Sequence, residues 1–314
     1  MGRRCLVVLC ILACGCARAQ SVEFDAASRL PPLPQTAGRD DAAYAIATRR
    51  DRIGRIVAPV MINGQGPFRF MLDTGATRTA LTLPLVQKLH LPLDAQAQVS
   101  VTGVASSGIV GTAAVDELRS GAVLLRSQRL PVLSGLVMDG IEGILGMDGM
   151  ERKRVTADFV RDRLLIEDSP SRRFAFGRSI IPVQFVSARL LLVSGRVGQI
   201  DTRIIIDTGG THTLGNLALY EALRHGNALQ GWEFETSVTD VLSGTQLGTI
   251  RHAPLLRLGA STIDNVSVTF GDFHVFDAWH LREQPALLLG MDVLGTLSEL
   301  TIDYRHRQLA ILGR

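Results

Sequence analysis

The feature that most constrains this 314-residue chain is that it repeats itself. Residues 55–90 and 189–224 align without a gap at an offset of 134, with twelve identities in 36 positions, Asp73/Asp207, Thr74/Thr208, Gly75/Gly209, Thr77/Thr211 and Thr79/Thr213 among them. The match resumes downstream. Ser100 to Val104 aligns with Ser237 to Val241, and Ile144-Leu145-Gly146-Met147-Asp148 with Leu288-Leu289-Gly290-Met291-Asp292. Thr156-Ala157-Asp158-Phe159 then aligns with Thr301-Ile302-Asp303-Tyr304. A duplicated chain of this kind folds as two similar units packed about a pseudo-twofold axis, which brings equivalent turns face to face.

The duplication sets the domain plan. An N-terminal unit spans 53–168 and a C-terminal unit 181–314, joined by a polar linker at 169–180. Within each half the texture is β. Ile56 to Ile62 runs to Asn63-Gly64, a tight-turn signal, and Phe68 to Leu72 forms the returning arm of a hairpin. Short helices are expected at Leu85 to His90, at Leu217 to Arg224, and just after each Leu-Gly-Met-Asp, which Asp148 and Asp292 would cap or hydrogen-bond. The fold class is therefore mainly β.

Ahead of the repeat, Met1 to Arg4 is basic, Cys5 to Cys16 is apolar, and Ala17-Arg18-Ala19 offers small residues at a cleavage position. This is the layout of a secretory signal peptide over 1–19, with an apolar run short of the roughly 20 residues that span a bilayer. A lead-in follows at 20–52. All four cysteines, at 5, 10, 14 and 16, fall in the leader, so a mature chain has no disulfide, thiolate metal site or cysteine nucleophile. Such a chain is expected to be periplasmic or secreted. A membrane tether would require lipidation at Cys14 or Cys16, whose preceding residues fit a lipobox poorly. The formal charge is +3, and Arg3, Arg4 and Arg18 account for all of it, which leaves no basic excess for nucleic acid.

Both halves place Asp-Thr-Gly directly after three apolar residues, Phe70-Met71-Leu72 before Asp73 and Ile204-Ile205-Ile206 before Asp207. One such triplet reads as a strand-ending turn. Two at matching repeat positions put two carboxylates across the seam.

On these residues the chain resembles the aspartic proteases, in which each half carries apolar-apolar-Asp-Thr-Gly and later apolar-apolar-Gly, here Ile144-Leu145-Gly146 and Leu288-Leu289-Gly290. The short, similar halves, each with a hairpin-like segment in the flap position (Val101 to Val110 and Val238 to Leu247), resemble the retropepsin-like subtype fused into one polypeptide. The resemblance implies two tandem retropepsin-like acid-protease β-barrel domains related by a pseudo-twofold axis, monomeric with an intramolecular pseudo-dimer. It implies Asp73 and Asp207 as the catalytic pair and Thr74, Gly75, Ala76, Thr77, Thr208, Gly209, Gly210 and Thr211 as the active-site loops. Thr74 and Thr208 would bond across the seam, while Gly75 and Gly209 would let substrate backbone approach. The flap residues would be Gly103, Val104, Ser106 and Gly108, with Val241, Ser243 and Gly244 opposite. Gly103, Gly108 and Gly244 would supply hinge freedom.

Two carboxylates this close share one proton, and the ionised member activates a water that attacks a peptide carbonyl, with no metal or cofactor. Ala76 and Gly210 stand where pepsin-like chains carry a hydroxyl, which points to a mildly acidic to near-neutral optimum. The seven histidines show no pair at metal spacing, and Gly-x-Ser-x-Gly is absent. His212 reads as structural. Three functions fit: an aspartic endopeptidase acting on a peptide or protein, an inactive peptide-binding envelope protein with the same fold, and a structural envelope protein whose Asp-Thr-Gly turns only fix the seam.

Overall fold

The computed structural model describes residues 54–133, 140–171, 179–186 and 190–313, with the backbone of three short strands at Leu6–Val8, Ala13–Cys14 and Tyr44–Ala47. Apart from those strands, the predicted signal peptide and lead-in lie outside the described residues, as does linker segment 172–178.

The chain is mainly β. In the first half Val57–Ile62 and Gln65–Leu72 form an antiparallel hairpin closed by Asn63-Gly64. Both turn residues sit at positive φ, 48° and 77°, the twist that a two-residue turn needs and that asparagine and glycine tolerate best. The end of the second arm is continuously apolar because it is sandwiched. Phe70 and Leu72 face one apolar cluster and Met71 another. Ile204 and Ile206 are split from Ile205 in the same way.

In each half a third strand inserts beside that arm. Gly143–Leu145 runs parallel to Gln65–Leu72 and antiparallel to Ala80–Thr82, with Leu145 opposite Leu72 and Ile144 opposite Ala80. Ala286–Leu289 repeats this between Ile200–Ile206 and Leu214–Gly215. The inserted strand fixes the loop that carries each aspartate: Asp73 N–H donates to Leu145 O and Asp207 N–H to Leu289 O, both at 3.0 Å. It then passes directly under the loop's far side. A Cβ on Gly146 would lie 2.4 Å from the Arg78 carbonyl carbon, and one on Gly290 2.6 Å from that of His212. The glycine of the apolar-apolar-Gly motif is thus required by close backbone approach.

The halves are joined by a shared six-stranded sheet. Lys153–Asp158 pairs antiparallel with Glu299–Asp303, and Arg163–Asp168 and Gln308–Leu312 flank them. Thr156 stands opposite Thr301 and accepts a 3.2 Å bond from its hydroxyl. These two are repeat equivalents, so the pseudo-twofold axis passes between them. Their long-range pairing turns the duplication into one body.

Helices occupy Leu83–Lys88 and Leu217–His225, the second capped by Asn216, which accepts from Leu219 N–H at 2.9 Å. The helix expected after each Leu-Gly-Met-Asp forms only in the second half, at Met291–Leu294. The first half turns instead, because Gly149 adopts a φ of 81° where the second half has Val293. Asp148 therefore caps no helix. It binds Thr79, while Asp292 accepts from both Thr213 and Val293 N–H.

Candidate active site

Asp73 and Asp207 end equivalent strands and are completely buried. Each Oδ1 accepts a bond from the glycine two residues on, Gly75 N–H at 2.8 Å and Gly209 N–H at 2.9 Å. Each Oδ2 is buried. The carboxyls face each other closely enough that Gly209 packs against its partner. A Cβ there would lie 2.3 Å from Asp73 Cγ and 2.5 Å from both its oxygens. Gly209 thus makes room for the opposite aspartate.

Thr74 and Thr208 hold the loops in register. The Thr74 hydroxyl donates to Ile206 O at 2.7 Å and accepts Thr208 N–H at 3.0 Å, and the Thr208 hydroxyl donates to Leu72 O at 2.8 Å and accepts Thr74 N–H at 3.1 Å. Four buried groups from two halves are satisfied by two side chains, so neither loop can shift alone. Beneath this grip, Thr79 binds Asp148 and donates to no other described carboxylate, while its hydroxyl accepts Gly146 N–H. Thr213, Asp292 and Gly290 reproduce that pattern. Of the remaining loop residues, Ala76 O accepts Met147 N–H, Gly210 O accepts Met291 N–H and Thr211 O accepts Asp292 N–H, while Thr77 is buried.

Both carboxyls hold protons tightly. Burial raises Asp73 well above its ordinary value, reinforced by the charge of Asp207 and a hydrogen bond to it. Burial likewise raises Asp207, to about 7, against the opposing bonds from Asp73 and from the N–H groups of Gly209, Gly210 and Gly75. Backbone N–H groups of Gly75 and Ala76 act on Asp73 in the same sense, in place of the hydroxyl that positions 76 and 210 lack. Tyr304, equivalent to Phe159, donates to Met147 Sδ. Burial, then the nearby Asp73, pushes its hydroxyl far above the usual range, so it stays neutral.

Two hairpins meet at their tips, Leu93–Thr102 with Ser107–Ser120 and Gln230–Thr239 with Thr245–Ala253. Their tips hold the sequence-predicted flap residues. Val104 is buried in an apolar cluster of the second half with Leu190, Ile205, Phe273 and Phe276, and Val241 in one of the first half with Val57, Met71, Ala76 and Ile144. Gly103, Gly108 and Gly244 have no left-handed φ. Gly103 and Gly244 are sites of close contact between the flaps, and Gly108 makes ordinary contact with Leu242.

Sequence reasoning missed Asp240 and His274. Asp240 breaks the repeat opposite Gly103, and that mismatch was its only signal. His274 Nε2 lies 2.7 Å from the Ser107 hydroxyl, on a helix, His274–Ala278, at whose start Val275 N–H donates to Val104 O. His212 contributes its backbone beside Gly290.

A family model described as aspartyl protease matches residues 58–148 and 193–293, more than half of the chain and once in each half. The chain belongs to the aspartyl protease family. As a member it carries two fused retropepsin-like domains. It is similar in fold to an aspartic proteinase from Irpex lacteus, at 16% identity and a TM-score of 0.52, over 87% of this chain and 97% of that one. No curated protein matches it.

Proposed function

We propose that this aspartyl protease family member is an active endopeptidase in which Asp73 and Asp207 share one proton and activate a water. The observation that carries the reading is the pair itself: two repeat-equivalent carboxyls, completely buried, both raised in pKa by that burial and locked by Thr74 and Thr208. A purely structural turn has no need of two acids placed together where burial makes both costly to ionise.

In the singly protonated pair the ionised carboxylate takes a proton from water as the oxygen attacks the peptide carbonyl, and the protonated carboxyl donates to the developing oxyanion. The tetrahedral intermediate then collapses with a proton passing to the leaving nitrogen, and the pair again holds one proton. The proton belongs to the pair as a unit. An extended substrate would lie in the seam beneath the flaps, paired through its backbone. We place the mature chain in the periplasm or outside the cell, as a monomer, on the strength of its basic-apolar-small leader and its intramolecular pair.

The test incubates the purified chain with a peptide library across pH, with and without a statine-type inhibitor that mimics the tetrahedral intermediate. Cleavage suppressed by the inhibitor supports the reading. Binding of peptides without cleavage at any pH would replace it with the peptide-binding module.

A further inference from the structure

The Asp240 carboxylate accepts five hydrogen bonds at the point where the two flaps meet. Its Oδ2 accepts Ala105 N–H at 3.0 Å, Ser106 N–H at 2.8 Å and the Ser106 hydroxyl at 2.9 Å, all from the opposite flap. Its Oδ1 accepts Leu242 N–H and Gly244 N–H of its own tip, both at 2.9 Å. The side chain is 2% exposed, so these bonds form in a screened setting where charge-assisted bonds are strong. One carboxylate shapes its own hairpin and grips the other.

The opposite flap is built to receive it. Gly103, the repeat equivalent of Asp240, would place a Cβ 2.2 Å from Asp240 Oδ2, and Gly244 would place one 2.2 Å from the Ser106 hydroxyl. Neither glycine has a left-handed φ, so their lack of a side chain serves contact rather than backbone freedom. The duplication is broken here so that one flap supplies the acid and the other the cradle. The grip also closes the seam: with the tips tied, Val104 and Val241 each stay buried in the other half's apolar cluster.

We propose that Asp240 is the latch of the two flaps, a positioning residue that holds them closed over the aspartate pair and whose release admits an extended peptide. Its placement in a peptide path rests on the endopeptidase reading, while the latch itself rests on geometry alone. Closure of this kind excludes water and completes the site, and a specific tie between tips sets how often the seam opens.

The test measures the distance between the flaps. In the full chain, with Cys5, Cys10, Cys14 and Cys16 changed to Ser, the substitutions Ile109→Cys and Leu247→Cys put one spin label on each flap at positions 64% and 78% exposed. The parent should give one narrow distance distribution. Asp240→Ala should broaden it and shift it to longer distance, and Asp240→Asn, whose amide keeps only one acceptor for two sets of donors, should fall between. Gly103→Ala should open the flaps by pushing the carboxylate away. Combined with Asp240→Ala it should add nothing, the signature of a shared contact. An unchanged distance in Asp240→Ala overturns the latch. If that variant does not fold, an unchanged distance in both Asp240→Asn and Ser106→Ala overturns it equally.

Where peptide is cleaved, Asp240→Ala should lower kcat/KM roughly tenfold, chiefly through KM with kcat little changed, and Asp240→Asn should recover part of the loss. Asp73→Asn should leave the distance as in the parent. Flaps that open in Asp240→Ala while the parent cleaves nothing would sustain the latch and end the endopeptidase reading. Cleavage with unmoved flaps would do the reverse.

Discussion

Thr74 and Thr208 stand 134 residues apart in sequence, yet each donates its hydroxyl to the strand that precedes the other's aspartate and accepts the other's N–H. Removing either hydroxyl strands one buried carbonyl and one buried amide. Thr74→Val should therefore destabilise the chain by about 2–6 kcal/mol, at about 1–3 kcal/mol for each of two unsatisfied groups. Activity should fall further than stability, because the loops lose register. Thr74→Ser, which keeps the hydroxyl, should recover most of both. Urea unfolding beside peptide hydrolysis checks this, and equal stability of the Val and Ser variants would contradict it.

The aspartate pair makes the fold less stable as pH rises. A carboxyl whose folded pKa exceeds its unfolded value binds protons more tightly when folded, so its contribution is complete below about 3.8 and is lost as pH rises toward about 7 for Asp207. Asp207→Asn should then be more stable than the parent at pH 8, by on the order of 2–4 kcal/mol, and the difference should vanish near pH 3. Denaturant titrations at the two pH values measure it.

Asp303 carries the opposite sign. Burial works to raise it, but bonds from Ser169, Arg154 and His306 outweigh that and hold it below its ordinary value. Its stabilisation is present above the ordinary carboxylate range and lost as pH falls through it. Arg154 reaches it across the shared sheet at 2.7 Å, and the Asp303 side chain is fully buried. Asp303→Ala, which removes the buried carboxylate bonded by Arg154, Ser169 and His306, should cost about 3 kcal/mol at pH 7 and progressively less in acid, read from unfolding midpoints. A cost independent of pH would refute the assignment.

The inserted strands give a steric prediction. Gly146→Ala and Gly290→Ala force a Cβ to within 2.4 and 2.6 Å of backbone carbon, which no rotamer relieves. Each should cost at least about 1–3 kcal/mol and lower hydrolysis by displacing the aspartate loop. Gly54→Ala has open space around it but a φ of 90°, so it should show strain without disturbing the loop.

The sequence made the duplication, the paired aspartates and the Asn63-Gly64 hairpin legible because each is written in local residues repeated at a fixed offset. Thr74 and Thr208 were legible only through the family resemblance. The Asp148-Gly149 dipeptide already signals a turn where its counterpart Asp292-Val293 starts a helix, so the missing first-half helix was readable in the residue that differs. Two features were not readable. The Thr156 to Thr301 register is a long-range pairing across the axis, set by how the halves dock. The Asp240 grip joins Ser106 and Ala105 across two loop tips, and it lies where the repeat fails to match itself. The contact of Gly209 with Asp73 was not readable either, because Asp73 comes from the other half.

The account turns on Asp73 and Asp207 acting as one proton-sharing pair, and the pH profile of kcat/KM in the parent, Asp73→Asn and Asp207→Asn chains addresses it most directly. The raised pair predicts a parent that still works at pH 7 and declines toward pH 3, where both carboxyls are protonated. Each Asn variant should fold and lose at least roughly 10³-fold in rate. A parent profile peaking at pH 2 to 3, or a folded Asn variant that keeps a tenth of the parent rate, would contradict it.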